Sequence, residues 1–454
     1  MKPLKAAALL PWGASNRSSN RSMADYLAVL CGTGMARVLA LANNVLIARF
    51  LGSEGFGQFS FFYIVMLSAW VIPQAFDTTF VKFAKSGETT GRAASYWRAN
   101  VQMKILYCGL MLLSAWPAGH LLAVEFFHKP DISELLCLGL VCGSLLSVMN
   151  SVASSLQVRE KFGRFAVLQG LYTAITCLGL LFLFLVTPIR EVGPVISLYL
   201  GVSALTAGIS MVILLRSTPQ LLTFEPEIMQ RMTRFGKWIF FTALATYTFP
   251  RIDGMMLTRY LDLNTLGLYS VAAQFTMIIA VVTGSMSAVF LPRAMQALEN
   301  GATLKQYIVD SARPVTIILL GIFLLEIAAP LAITIIYGPQ YAAAAQPLRI
   351  LLLGYLFSSL YLPLSFLYYS LDLPQIRFLL EAGKMLLALV LFIHLIPLWG
   401  MTGAAAAMTL ALVTNSLAAG GLLYFLLRKH PSIRLRPDST SPTLAKHHDQ
   451  HPHS

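Results

Sequence analysis

The sequence predicts an all-α membrane protein of twelve transmembrane helices, set as two parallel six-helix repeats with both termini in the cytoplasm. Three observations predict it: a deficit of charge, long apolar stretches divided by short basic loops, and an internal repeat. Of 454 residues, 57% are hydrophobic and 12% charged, whereas a soluble domain carries about 25% charged residues. An apolar stretch of about 20 residues crosses a ~30 Å hydrocarbon layer as a helix. Backbone groups in lipid must satisfy one another, and a barrel would alternate with period two, so helix is the reading that remains.

The spans read at 24–48, 58–81, 101–124, 133–156, 165–188, 192–215, 235–258, 267–291, 314–337, 344–368, 376–397 and 400–427. They divide into an N-lobe, 24–215, a cytoplasmic linker, 216–234, and a C-lobe, 235–427, between tails at 1–23 and 428–454. Orientation follows from Lys and Arg, which are retained on the cytoplasmic side. With the N-terminus inside, the cytoplasmic segments hold 25 basic residues, among them Lys82, Lys104, Arg164, Arg231, Arg234 and Arg377. The opposite side holds four, Arg49, Lys129, Arg190 and Arg259.

Lys2, Lys5 and the run Ala6 to Leu10 resemble the start of a signal peptide, but the run is short, Pro11 ends it, and Arg17 and Arg21 follow. A cytoplasmic tail is expected there. The histidines of the other tail, His447, His448, His451 and His453, are expected to belong to a solvated low-complexity end rather than a metal site. Cys31, Cys108, Cys137, Cys142 and Cys177 lie in apolar stretches without metal-ligand spacing, which suits packing residues. No cofactor is expected. The net charge of +13 flanks membrane spans, so topology explains it and no nucleic-acid partner is expected.

The second half repeats the first at an offset of about 210 residues. Arg49-Phe50-Leu51 falls on Arg259-Tyr260-Leu261, and Phe56-Gly57-Gln58-Phe59-Ser60 falls on Leu266-Gly267-Leu268-Tyr269-Ser270. Phe80 and Ala84 fall on Phe290 and Ala294, and with small shifts Arg164-Phe165 falls on Arg377-Phe378. Six spans per half make the repeats parallel, with a site expected where they meet. Gly52, Gly55 and Gly57 are expected to serve a tight turn and close packing, whereas Gly400 and Gly403 are expected to serve close helix packing.

Ionisable residues inside spans are costly, from about 2.5 kcal/mol upward for an Arg at the bilayer centre, and face an interior or a hydrated cavity. Arg37 shares a helix face with Thr33 and Asn44 in the first span, so a polar stripe is expected along that face. In the seventh span Pro250-Arg251-Ile252-Asp253 places a potential kink beside two charges. Two residues apart, Arg251 and Asp253 point to different faces, so one of them is expected to line a cavity. Asp253 could instead form a structural ion pair with Arg37 or Arg349. Arg349 opens the tenth span, Glu326 stands alone in the ninth, and Asp77, Lys82, Glu381 and Lys384 sit nearer cytoplasmic ends. The candidate substrate-binding residues are therefore Arg37, Asn44, Arg251, Asp253 and Arg349.

The turn Arg49-Phe50-Leu51-Gly52-Ser53-Glu54-Gly55-Phe56-Gly57 resembles the opening signature of the polysaccharide transporter family. Arg251-Ile252-Asp253 ahead of Leu266-Gly267-Leu268-Tyr269-Ser270, Ile336-Tyr337-Gly338-Pro339-Gln340-Tyr341 and Pro397-Leu398-Trp399-Gly400-Met401-Thr402-Gly403-Ala404 are similar to other pieces of it. The likeness runs from about 24 to 427. This family shares a superfamily with multidrug exporters and lipid II flippases. The resemblance implies a flippase of the bacterial inner membrane, not an enzyme. Its cargo would be undecaprenyl-diphosphate-linked oligosaccharide for O-antigen, capsule or exopolysaccharide synthesis. Implied partners are that lipid-linked oligosaccharide, membrane lipids, and a polysaccharide polymerase or export machinery. A guanidinium pairs well with phosphate oxygens, which suits Arg37, Arg251 and Arg349 to the head group. Two other classes stand beside it: a multidrug or cation antiporter, which would favour an acidic or aromatic cavity, and a membrane glycosyltransferase or polymerase, which would want a large outward loop with acidic residues.

Overall fold

The structure, a computed structural model, describes residues 19–88, 92–187, 190–218, 221, 223–297, 303–371 and 373–429. Both histidine-bearing and basic tails lie, almost in full, outside the described residues. The described elements are helical throughout: α1 (Ser19–Glu88), α2 (Ala93–Leu121), α3 (Ser133–Val158), α4 (Phe162–Val186), α5 (Val192–Ser217), α6 (Pro226–Tyr260), α7 (Leu263–Ala297), α8 (Thr303–Ile336), α9 (Ala345–Ser370) and α10 (Pro374–Lys429). Nine of the described helices are long and apolar enough to cross a membrane, and two of these, spanning 51 and 52 residues, have length for two crossings. The chain is a multi-pass membrane protein.

Those two long elements differ from the expected pairs of separate spans. In α1 the chain departs from helical geometry at Gly52 alone, at φ 71, and in α10 at Gly400, at φ 59. Positive φ suits a residue without Cβ, so one glycine turns the chain where loops were expected at 49–57 and 398–399, and Gly400, expected to pack, breaks the helix instead. Within the segment 216–234, expected as a linker, α6 already begins at Pro226. Proline at the first helical turn gives up no hydrogen bond there. Past Pro250, α6 continues as one element to Tyr260.

Helices α1 to α5 pack on one another, and so do α6 to α10; the seam is made chiefly by α1 against α6 and α7. The perimeter is apolar. On α8 Ile317, Leu320, Leu324, Ile327, Leu331 and Ile335 recur every three or four residues, all more than half exposed, a stripe suited to acyl chains. The interior holds buried aromatic and aliphatic side chains, among them Phe56, Phe59, Phe61 and Phe62, with small and polar groups between them. A Cβ on Gly143 would lie 2.2 Å from the Met66 carbonyl oxygen, so α3 meets α1 backbone to backbone, as small residues permit between membrane helices. Pro73 within α1 cannot donate to the carbonyl of Ala69. The Tyr107 hydroxyl donates to that oxygen instead, which satisfies it without water.

The seam is tightest near Gly52. A Cβ on Gly57 would stand 1.6 Å from the Leu263 carbonyl oxygen, and one on Gly267 would stand 2.0 Å from that of Ser53. The two glycines are thus where α1 and α7 touch, the packing role expected of Gly57.

Candidate functional site: a polar cavity on the seam

A cavity of ≈ 90 Å³ opens between α1, α6 and α7. That volume holds several waters, not an oligosaccharide. Its lining joins Asn44, Arg251 and Asp253, three of the five candidates, with Ser60, Tyr63 and Gln274 among others. Both Arg251 and Asp253 line it, although their spacing put them on different faces. Asp253 is held locally: its carboxylate accepts the Tyr269 hydroxyl at 2.8 Å and the amide of Gly254 at 2.7 Å. Neither Arg37 nor Arg349 is its partner in these bonds.

The lining has an order of its own. Twelve of its fourteen residues form six pairs separated by 210 positions: Asn44 with Gly254, Phe59 with Tyr269, Ser60 with Ser270, Tyr63 with Ala273, Ile64 with Gln274, and Leu67 with Met277. The two without a counterpart in the lining are Arg251 and Asp253; at the same offset stand Leu41 and Asn43. The charge of the cavity therefore comes from the α6 side alone.

Arg37 lies on α1 seven residues before Asn44, about 10 Å of helix rise away, and is exposed. The side chains of Thr33, Thr242, Thr246 and Tyr247, expected on polar faces with these residues, lie outside the described set. Arg349 lies outside the cavity lining. Its guanidinium faces Glu326, 3.9 Å from the carboxylate and 3.3 Å from the backbone oxygen, with Arg349 half exposed. Glu326 is accordingly not solitary.

Sequence reasoning missed two groups. Lys104, counted among cytoplasmic loop residues, is 1% exposed within α2. Its ammonium lies 2.6 Å from Asp77 and 2.8 Å from the carbonyl oxygen of Ser147. Asn100 and Ser154 also donate to Asp77, at 3.3 and 3.0 Å. Asp77 is thus a buried, fully engaged carboxylate rather than an interfacial one. Lys384 pairs with Glu381 and sits 4.4 Å from the Phe249 ring, which ties α10 to α6.

The second missed group seals the Gly52 end. Arg49 donates to the carbonyl oxygens of Ile335 and Ile336, at 2.7 Å for the latter. Arg259 donates to that of Phe126 and lies 4.7 Å from the Phe126 ring. Lys129 donates to Thr258, at 2.8 Å, and to Leu261. Each cation caps a helix end in the opposite group, where unpaired carbonyls and the helix dipole favour positive charge. Arg49 and Arg259 are 210 apart, and so are their acceptors Ile336 and Phe126. Burial pushes Lys129 below the usual lysine range, against the opposing pull of Asp131 and Asp262. A signal existed: these are three of the four basic residues assigned to the side opposite the termini.

The sequence pattern of polysaccharide biosynthesis proteins matches residues 22–298. No curated protein matches the chain. An inward-facing multidrug resistance MATE transporter of the MOP superfamily superposes with a TM-score of 0.73 at 11% identity, over 87% of this chain and 96% of that one. The lipid II flippase MurJ, in its inward closed conformation, gives 0.71 at 16%, over 88% and 87%. An outward-facing multidrug resistance MATE transporter gives 0.58 at 11%, over 90% and 96%. At these identities the likeness establishes the fold alone.

Proposed function

The chain belongs to the polysaccharide biosynthesis protein family, and on that premise we propose that it flips an undecaprenyl-diphosphate-linked oligosaccharide across the bacterial inner membrane. Such a substrate carries charge and sugars that cannot cross hydrocarbon, attached to an isoprenoid tail that belongs there. The carrier must hide the head between two bundles and leave the tail in lipid. The observation that carries this reading is the cavity on the seam: symmetric in its neutral lining, with Arg251 as its cation beside the held carboxylate of Asp253. A guanidinium there suits one diphosphate; the Asn44 amide would orient the diphosphate and the Asp253 carboxylate would orient the guanidinium. Arg37, further along α1, would meet the head group on its way in. Arg349 would act at the perimeter.

Twelve spans in two parallel repeats support alternating access. The 210-residue pairing of the cavity lining, of Gly57 with Gly267 and of Arg49 with Arg259 is what an axis along the membrane normal would produce. With both termini cytoplasmic, the sealed Gly52 end faces outward. The higher similarity to inward conformations agrees with that assignment. O-antigen, capsule and exopolysaccharide intermediates all fit this chemistry, and a polymerase or export complex would receive the product. The membrane potential is worth about 2.3 kcal/mol per charge per 100 mV, which favours outward movement of the anion; Na⁺ or H⁺ antiport would serve equally.

The test is appearance of lipid-linked glycan in the outer leaflet. Losing a charge-assisted bond costs about 1.5–3 kcal/mol, so Arg251→Ala is expected to lower translocation by about tenfold or more. Arg37→Ala is expected to lower it less, and Arg349→Ala least. Wild-type translocation by a well-folded Arg251→Ala protein would refute the assignment.

A further inference from the structure

A second cavity, of ≈ 520 Å³, lies between α1, α3 and α4. This is within the range of roughly 300–1,000 Å³ that small-molecule pockets occupy. Its walls carry the side-chain amides of Gln74, Asn150, Gln157 and Gln169 together with the rings of Trp70 and Phe165. Part of this wall is fixed in advance: Gln169 donates to Asn150 at 3.3 Å, and Asn150 donates to the carbonyl oxygen of Leu146 at 3.0 Å.

The charges in this cavity are already engaged. Asp77 is committed to Lys104, Asn100 and Ser154. Lys82 at the rim rests 3.5 Å from the centre of the Phe235 ring. No cluster of three metal-ligating side chains occurs among the described residues. The cavity is therefore built for a neutral ligand. A side-chain amide both donates and accepts, as a sugar hydroxyl does, and aromatic rings suit the apolar C–H faces of a pyranose.

One helix face joins this cavity to the central one. Ser60, Tyr63 and Leu67 line the first, and Trp70, Gln74 and Thr78 line the second, with successive spacings of three or four residues. Such spacing keeps them on one side of α1. Tyr63 and Gln74 are about 16 Å apart along the helix. The central cavity holds several waters or one small anionic group, so the sugars must lie elsewhere.

We infer that the α1–α3–α4 cavity is the glycan subsite: it takes a neutral hexose or N-acetylhexosamine unit of the lipid-linked substrate while Arg251 takes the diphosphate. This rests on the flippase reading. It also implies that sugar selectivity resides in the amide wall, apart from the phosphate-binding cation.

The test compares two probes on the full-length protein in nanodiscs: undecaprenyl diphosphate, and the undecaprenyl-diphosphate oligosaccharide extracted from the cells that make the protein. Trp70→Ala and Gln169→Ala are expected to weaken binding of the glycan-bearing lipid about tenfold and to leave binding of the bare diphosphate within twofold. Gln157 is exposed, so Gln157→Ala tests the same wall without disturbing the core and is expected to cost severalfold on the glycan-bearing lipid alone. Arg251→Ala is expected to weaken both. Equal affinities of wild type for the two probes, or loss of both in the wall variants with Gln157→Ala silent, would overturn the subsite while leaving the flippase intact. Failure of wild type to bind either lipid would overturn both.

Discussion

Asp77 and Lys104 show what a membrane interior asks of single residues. A buried ion pair contributes little net stability, but removing one partner strands the other at a cost of about 3–5 kcal/mol. Lys104→Ala and Asp77→Ala are each expected to lower the unfolding midpoint in detergent strongly. The double variant, which strands no charge, should recover most of that loss. Additive losses would show that each residue acts independently of the other. Asp77 was legible as a charge near a span end, and Lys104 as a cytoplasmic cation. Their meeting was not, because 27 residues of helix and turn separate them and only the packing of α2 against α1 brings them within 2.6 Å. The same holds for Asp253: its partner Tyr269 lies on the next helix.

At the scale of elements, glycine decides where helices turn and where they touch. Gly52 and Gly400 let single residues break α1 and α10, which periodicity cannot locate to one position. Gly57 and Gly267 instead bring α1 and α7 into backbone contact. Adding a side chain to a close-packed contact costs about 1–3 kcal/mol. Gly57→Val is therefore expected to lower stability in that range, measured as a shifted midpoint of detergent-solubilised protein, whereas Gly34→Ala, with nothing within 4 Å, should be neutral. An unchanged midpoint for Gly57→Val would mean that α1 and α7 are not pressed together in the membrane. The turn and packing roles of Gly52 and Gly57 could be read from the sequence motif, but neither the break at Gly400 nor the contact at Gly267 could. Which glycine turns and which packs could not, since that depends on the neighbour's backbone.

For the whole molecule, the caps at the Gly52 end weigh one conformation against another. Arg49, Arg259 and Lys129 all bond across the seam, so these bonds exist only while that end is shut. Each charge-assisted bond is worth about 1.5–3 kcal/mol. Arg49→Ala with Arg259→Ala is expected to raise outside labelling of a cavity reporter, Ser270→Cys in a cysteine-free background, by about tenfold or more. Each single variant should do less. Labelling of the double variant at the wild-type rate would show that the caps do not hold the end closed.

Class and helical content were legible along the chain, because hydropathy and backbone satisfaction in lipid act locally and leave a pattern that can be counted, and the family was legible in short motifs such as Arg49 to Gly57. The sequence also exposed the 210-residue offset, since that repeats along the chain. The tertiary structure decided which charges meet. It brought Asn44, Arg251 and Asp253 to one cavity, set Arg349 beside Glu326, and turned three rare basic residues into caps on the opposite group. Coulomb attraction and hydrogen bonding act over a few ångströms, and residues hundreds of positions apart come that close only once the helices have packed.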